Sequence, residues 1–389
     1  MQKARQYTEY LDVLRVLSMF SVLFLHTAAG SLRGAFASPV WHTANILTGF
    51  MSTSVPLFFM ISGALILNSE KTASLEFTWK KRMPKLVLPF LFWSFVAIAY
   101  FFVMDYRAKG VFDITLITGK LKNILGQPAT VHLWFMYALI PLYMISPLLK
   151  KLLDALDKKL AIYLMVLWFG ASSLLPTLAG LAPARFQPLF AANPSYNLHF
   201  LGGYIGYFFL GYYLFRYDKK VSLKILTAVI VADGGAIALG TWWKTQTLGE
   251  YSEAFKSYGR VFVLILSAAL FLMARELLTR RPLAKGASFS VRLLSGASFG
   301  IYLVHNLIVH FISRDGSLSP ALSLGKLAAA WIIVFASSFL IIFSGSCIKP
   351  LCFMITGLDY KTACESLNLH YLLKSFKKRK SQDKENQAA

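Results

Sequence analysis

The sequence predicts an all-α, polytopic integral membrane protein with about ten transmembrane helices and both termini in the cytoplasm. Three observations lead there. Runs of roughly 17 to 25 predominantly apolar residues recur along the whole 389-residue chain. Hydrophobic residues make up 56% and charged residues 15% of it, with a mean hydropathy of +0.56. The basic residues are divided unequally between alternate loops.

Read by length and apolarity, the spans fall at about 12–30, 44–68, 86–104, 132–149, 160–180, 200–216, 225–243, 259–275, 295–313 and 325–346. With the N-terminus inside, the cytoplasmic segments hold 28 of the 40 Lys and Arg residues and the outer segments hold 9. Arg15, Arg260 and Lys326 lie within spans, and Arg216 and Arg275, the last residues of theirs, are counted with the cytoplasmic segments they adjoin. A net charge of +22 would suggest nucleic acid in a soluble chain. Here the positive-inside rule accounts for it, so no nucleic-acid partner is expected.

No period of the length used by solenoids recurs, and no segment outside the spans is long enough to fold alone. One transmembrane domain is therefore expected over residues 1–350, with a cytoplasmic tail over 351–389. In that tail Leu367, Leu369, Tyr371, Leu372, Leu373 and Phe376 lead into Lys374, Lys377, Lys378, Arg379 and Lys380. The pattern is that of a basic amphipathic segment on anionic inner-leaflet lipid, turning polar after Ser381. Cys347, Cys352 and Cys364 lack paired metal-ligand spacing, so neither a disulfide framework nor a zinc site is indicated and no metal is expected.

The first span, Tyr10 to Gly30, carries Asp12, Arg15 and His26 where a lipid-facing helix would carry none. At about 100° per residue the eleven steps from Arg15 to His26 amount to three turns plus roughly 20°, so both lie on one face, roughly 16 Å apart along the axis. Asp12 lies one turn below Arg15 on nearly the same stripe. Such groups cost free energy unless they face protein or a water-filled cavity, which makes the stripe a functional candidate. A cleaved signal peptide is disfavoured because Glu9, Asp12 and Arg15 interrupt the n-region pattern and further spans follow. Snorkelling to the interface would suffice for Arg15 but fits His26 less well. Pattern alone leaves the role of His26 open.

The second span ends VPLFFMISGALIL, Val55 to Leu67, where Ser62 and Gly63 favour close helix packing over ligand contact. In the next loop Trp79-Lys80-Lys81-Arg82-Met83-Pro84-Lys85 gathers four cations. Positive-inside charge and a phosphate-binding mouth are both adequate explanations. His132-Leu133-Trp134-Phe135-Met136-Tyr137 opens the fourth span; an interfacial aromatic belt explains Trp134 and Tyr137 but not His132. Phe299 to Asn306, FGIYLVHN, sits in the ninth span, where His305 and Asn306 should face protein, either as substrate contacts or as bonds between helices. Asp233 and Arg260 are a candidate buried pair of structural or functional kind. Nothing resembles a phosphate-binding glycine loop, a serine nucleophile elbow or a metalloprotease helix.

With these residues assembled, the chain resembles the membrane acyltransferase 3 family of integral-membrane O-acyltransferases that modify bacterial surface glycans. LDVLRVLSMFSVLFLH is similar to that family's first-helix pattern of Arg and His separated by ten residues, and VPLFFMISGALIL, HLWFMYALIPLYMISPLL and SFGIYLVH to later motifs, in order. Within the family the likeness is nearest to the single-domain type that O-acetylates enterobacterial common antigen. The resemblance implies catalytic roles for His26 and Arg15, and acyl-donor contact at Arg82 and Lys85. Lys85 stands where many members have Arg, which keeps the charge and loses the bidentate fork. His132, Trp134 and His305 are the expected acceptor contacts. The implied reaction moves an acetyl group from cytoplasmic acetyl-CoA, a co-substrate rather than a bound cofactor, to a hydroxyl of a surface or lipid-linked saccharide. His26 would be the general base, or would carry the acetyl group itself. The implied location is the bacterial inner membrane, with lipids as surroundings. The alternative is a glycan exporter or flippase of the same family, which needs a polar cavity but no general base. A solute transporter is disfavoured because no inverted repeat with broken helices in matching halves is evident.

Overall fold

A computed structural model describes residues 2–34, 36, 38–111, 113–190, 203–217, 220–314 and 323–367, with side chains from Glu9 onward. The described residues are helical and contain no strand. Nine helical stretches among them are long and apolar enough to cross a membrane: Glu9–Leu32, Pro39–Leu67, Leu75–Lys109, Val131–Ala155, Lys158–Leu181, Leu223–Leu248, Val261–Arg280, Lys285–Ser313 and Leu324–Ser346. The expected sixth span is represented by Ile205–Arg216, twelve described residues. An all-α polytopic membrane protein is what the composition and the runs of apolar residues predicted.

In chain order the helices are α1 (Gln2–Leu32), α2 (Pro39–Met51), α3 (Ser54–Leu67), the single turn α4 (Leu75–Phe77), α5 (Met83–Lys109) and α6 (Ile114–Lys122). There follow α7 (Trp134–Ala155), α8 (Lys158–Phe169), α9 (Leu175–Leu181), α10 (Ile205–Arg216), α11 (Leu223–Leu248), α12 (Val261–Arg280), α13 (Lys285–Ser313), α14 (Leu324–Ser346), α15 (Lys349–Thr356) and α16 (Tyr360–Leu367). The bundle is described below by its near end, where α1 starts, and its far end, where α1 finishes.

Helix α1 is central: it packs on α2, α3, α12, α13 and α14, with Tyr10, Leu11, Leu14, Met19, Val22 and Leu23 all buried in the main core. A helix surrounded in this way can carry polar groups on a face that never meets lipid. The second span is two helices, because Pro56 offers no N–H and its ring excludes the carbonyl four residues earlier. The chain breaks at Ser52 and Thr53, whose hydroxyls turn back onto the carbonyls of Gly49 (2.7 Å) and Phe50 (2.9 Å).

The packing reading of the SG pair holds for Gly63. A Cβ there would overlap the Phe208 carbonyl, and one at Gly211 would overlap that of Met60. Backbones of α3 and α10 therefore touch through two glycines, the arrangement small residues permit between membrane helices. Satellite packing joins α11, α12 and α2 around Ile237, Val263 and Leu266, with Asn45 donating to the Ala238 carbonyl (2.9 Å). Asp233 and Arg260 form no ion pair among the described residues. Arg260 instead donates to the Pro176 carbonyl and lies against Gly180.

After α14 the chain folds back. Trp93 of α5 donates to the Ile355 carbonyl (3.1 Å), Gly357 (φ +71°) brings its backbone against the Lys85 carbonyl, and Leu367 is buried. The stretch expected on the inner leaflet lies largely beyond residue 367, outside the described residues.

Candidate functional site

Two polar clusters line the interface of α1 with α13, one near each end. At the near end Arg15 donates through Nη1 to Asp12 Oδ1 (3.2 Å) and to Ser295 Oγ (2.9 Å), and the Ser295 hydroxyl donates to the same Asp12 oxygen (2.6 Å). The carboxylate one turn away and the serine on α13 compensate the guanidinium, which keeps about 29% of its side-chain surface exposed. The stripe read from the sequence is thus an internal one, with its open side available to a ligand.

Toward the far end three imidazoles converge from three helices. His26 of α1 lies 5.1 Å, centroid to centroid, from His305 of α13 and 6.1 Å from His132, which precedes α7; His132 and His305 are 4.8 Å apart. The partners of the last two fix their tautomers. A carbonyl can only accept, so His132 carries its proton on Nε2, donating to the Leu303 carbonyl (3.2 Å), and its Nδ1 accepts from the Thr130 hydroxyl (2.8 Å). His305 donates from Nδ1 to the Tyr302 carbonyl (2.6 Å), which leaves Nε2 as a bare acceptor, buried and without a hydrogen-bond partner. Tyr302 closes the group by donating to the His132 carbonyl. No hydrogen bond to the half-buried His26 ring is found among the described residues.

Arg82 is positioned rather than loose. It donates to the Thr72 hydroxyl (2.6 Å) and lies 5.1 Å from the Phe77 ring centre, while the buried Thr72 donates in turn to the Ile66 carbonyl. Thr72 sits in a short turn, Glu70–Ala73, that Lys150 secures from α7. Lys150, with 1% of its side chain exposed, donates to Glu70 (3.1 Å) and Asp154 (2.6 Å). Tyr143, also on α7, lies near both Arg15 and Arg82. Both cations lie at the near end of the bundle, where α1 and α5 begin. Lys85 faces elsewhere: its ammonium lies 3.8 Å from Asp359, between α15 and α16.

Of the residues expected at the site, the structure brings His26, His132 and His305 together, with Trp134 two residues beyond His132. Arg15 and Arg82 both lie near Tyr143, and Lys85 lies beside Asp359. Sequence reasoning missed Thr72, Thr130, Tyr143, Ser295 and Tyr302. Thr130, two residues before His132, and Tyr302, three before His305, carried a local signal; Thr72, Tyr143 and Ser295 meet the site only through folding.

Compared with known proteins, residues 8–348 match the acyltransferase 3 family, described as an acyltransferase domain. The "Putative membrane-bound acyltransferase YfiQ" of Bacillus subtilis (strain 168) is 24% identical over 297 residues, covering 75% of this chain and 78% of its own length. No solved structure matches the chain.

Proposed function

Because the chain belongs to the acyltransferase 3 family, whose match spans nearly the whole membrane bundle, we propose that it transfers an acetyl group from cytoplasmic acetyl-CoA to a hydroxyl of a lipid-linked or growing surface saccharide. The single-domain O-acetyltransferase of enterobacterial common antigen is the pattern, and the inner membrane is the location. The observation that carries this reading is the contrast among the three imidazoles: His132 and His305 are held by fixed partners, while no hydrogen bond to His26 beside them is found among the described residues.

In this reading donor and acceptor approach from opposite ends of the bundle. The phosphates of CoA meet Arg82 and Arg15 at the near, cytoplasmic end, where a fixed guanidinium suits an anionic oxygen, while Lys85 pairs with Asp359. The thioester extends along α1 toward His26. The neutral His26 ring takes the proton of the acceptor hydroxyl as its oxygen bonds to the thioester carbonyl carbon. The C–S bond then breaks, and the proton passes to the departing thiolate to give free CoA. A positioned general base of this kind contributes about 10² to 10⁴ in rate. His305 Nε2, the bare acceptor beside His26, can take a hydrogen bond from the other nitrogen of that ring and stabilise its charged form.

The test is turnover by the purified full chain in detergent, where no compartments exist for an exporter to act between. The expected result is release of free CoA from acetyl-CoA together with an acetyl increment on a saccharide acceptor. Failure with every acceptor of a broad panel, together with retention of lipid-linked glycan on the inner face of cells lacking the protein, would overturn acyl transfer in favour of export.

A further inference from the structure

Beside the imidazoles the far end carries a continuous wall of aromatic rings. Phe59 and Tyr204 stack (4.6 Å, 13°), Tyr204 leans on Trp134 (5.3 Å, 40°), and Trp134 faces Tyr258 (5.8 Å, 23°). The wall is assembled from α3, the start of α10, the start of α7 and the loop before α12, and the Tyr207 hydroxyl fixes that loop by donating to the Tyr258 carbonyl (2.6 Å). It is linked to the imidazoles through Phe135, which packs on Phe59 (4.8 Å) and on Tyr302 (5.5 Å), the ring that lies 5.5 Å from His132.

We propose that Tyr204 and Tyr258, with the open surface of Trp134, form the binding site for the sugar ring of the acceptor. The inference rests on the acyl-transfer reading and adds two acceptor-contact residues to it. Neither phenol hydroxyl has a hydrogen-bond partner among the described residues, although both rings are only partly exposed. Burial, then the neighbouring Tyr204 and Glu253, raises the Tyr258 phenol above its ordinary value, so it remains a neutral hydroxyl that both donates and accepts. Flat apolar ring surface rimmed by neutral donor-acceptor groups complements a pyranose, which has a C–H face and a rim of hydroxyls. A phosphate would call for cations in the wall, and an acyl chain would leave both phenols unpaired.

The experiment uses the purified full chain and methyl glycosides of glucose, galactose and N-acetylglucosamine, with cyclohexanol as the ring without a sugar's hydroxyl rim. Binding is read by tryptophan fluorescence and transfer by CoA release. Wild type should bind at least one glycoside and not cyclohexanol. Tyr204→Phe and Tyr258→Phe keep the rings and remove only unpartnered hydroxyls, so the fold should be unaffected. Each is expected to weaken glycoside binding roughly three- to tenfold, with acetyl-CoA affinity unchanged. Glycoside binding in both variants equal to that of wild type overturns the proposal, as does equal binding of cyclohexanol, even when transfer to other acceptors persists. Binding that weakens as expected, without CoA release by any variant or by wild type, upholds the sugar site and removes the acyl-transfer reading instead.

Discussion

At the scale of single residues, the difference between His26 and its two neighbours is one of hydrogen bonding. His132 spends both ring nitrogens on Thr130 and Leu303, and His305 spends one on Tyr302. His26→Ala should therefore lower kcat by about 10² or more while the protein still inserts and accumulates; wild-type turnover by a well-expressed variant would falsify a role as base. Arg82 differs in kind, because it stands at the near end with Thr72 as its support. Arg82→Ala should raise the KM for acetyl-CoA more than it lowers kcat, the signature of lost ground-state binding. A collapsed kcat at unchanged KM would count against donor binding there.

At the scale of elements, a loop and a helix are joined by a buried lysine. Lys256, between α11 and α12, is 7% exposed and donates to Asn45 Oδ1 (2.7 Å) and Thr48 Oγ1 (2.8 Å) of α2, with its ammonium 5.5 Å from the Tyr251 ring centre. Burial lowers its pKa to about 7, and Glu253 opposes the shift only partly. Between pH 7 and the ordinary lysine value the unfolded chain binds more protons than the folded one, so stability should rise with pH across that window and be lowest below it. The melting temperature of the detergent-solubilised protein, followed from pH 6 to 10, should show this rise. Lys256→Met should lower the melting temperature through two lost hydrogen bonds and flatten the slope. A slope that persists in the variant would assign it to another group.

At the scale of the whole molecule, the central placement of α1 is what lets one helix carry a cation toward one end and an imidazole toward the other. Opposed approach of donor and acceptor requires the near end to be cytoplasmic, as the distribution of Lys and Arg implies. Cys347 at that end is exposed, whereas Cys352 is buried and Cys364 partly so. In a protein with Cys352 and Cys364 replaced by Ser, a membrane-impermeant maleimide should leave Cys347 unlabelled in intact cells and label it after permeabilisation. Labelling of intact cells would reverse the assigned orientation and with it the roles of the two ends.

The sequence alone determined the helical class, the approximate spans and the stripe joining Arg15 to His26, because each follows from local periodicity and from the cost of placing backbone and charge in lipid. It also marked Gly63 for close packing, His305 as a residue that should face protein, and His132 as one that an interfacial belt does not explain. Tertiary structure decided what those residues do to one another. Ser295 meets Asp12 and Arg15 across 283 and 280 positions of chain, and Leu303 meets His132 across 171. The same long-range packing set Lys85 against Asp359 and left Asp233 and Arg260 unpaired with each other. A helical pattern reports which face of one helix is unusual, whereas the identity of the group facing it depends on how the helices are arranged around α1. Only the assembled bundle fixes that arrangement, through the glycine contacts and interhelical hydrogen bonds that hold its members in register.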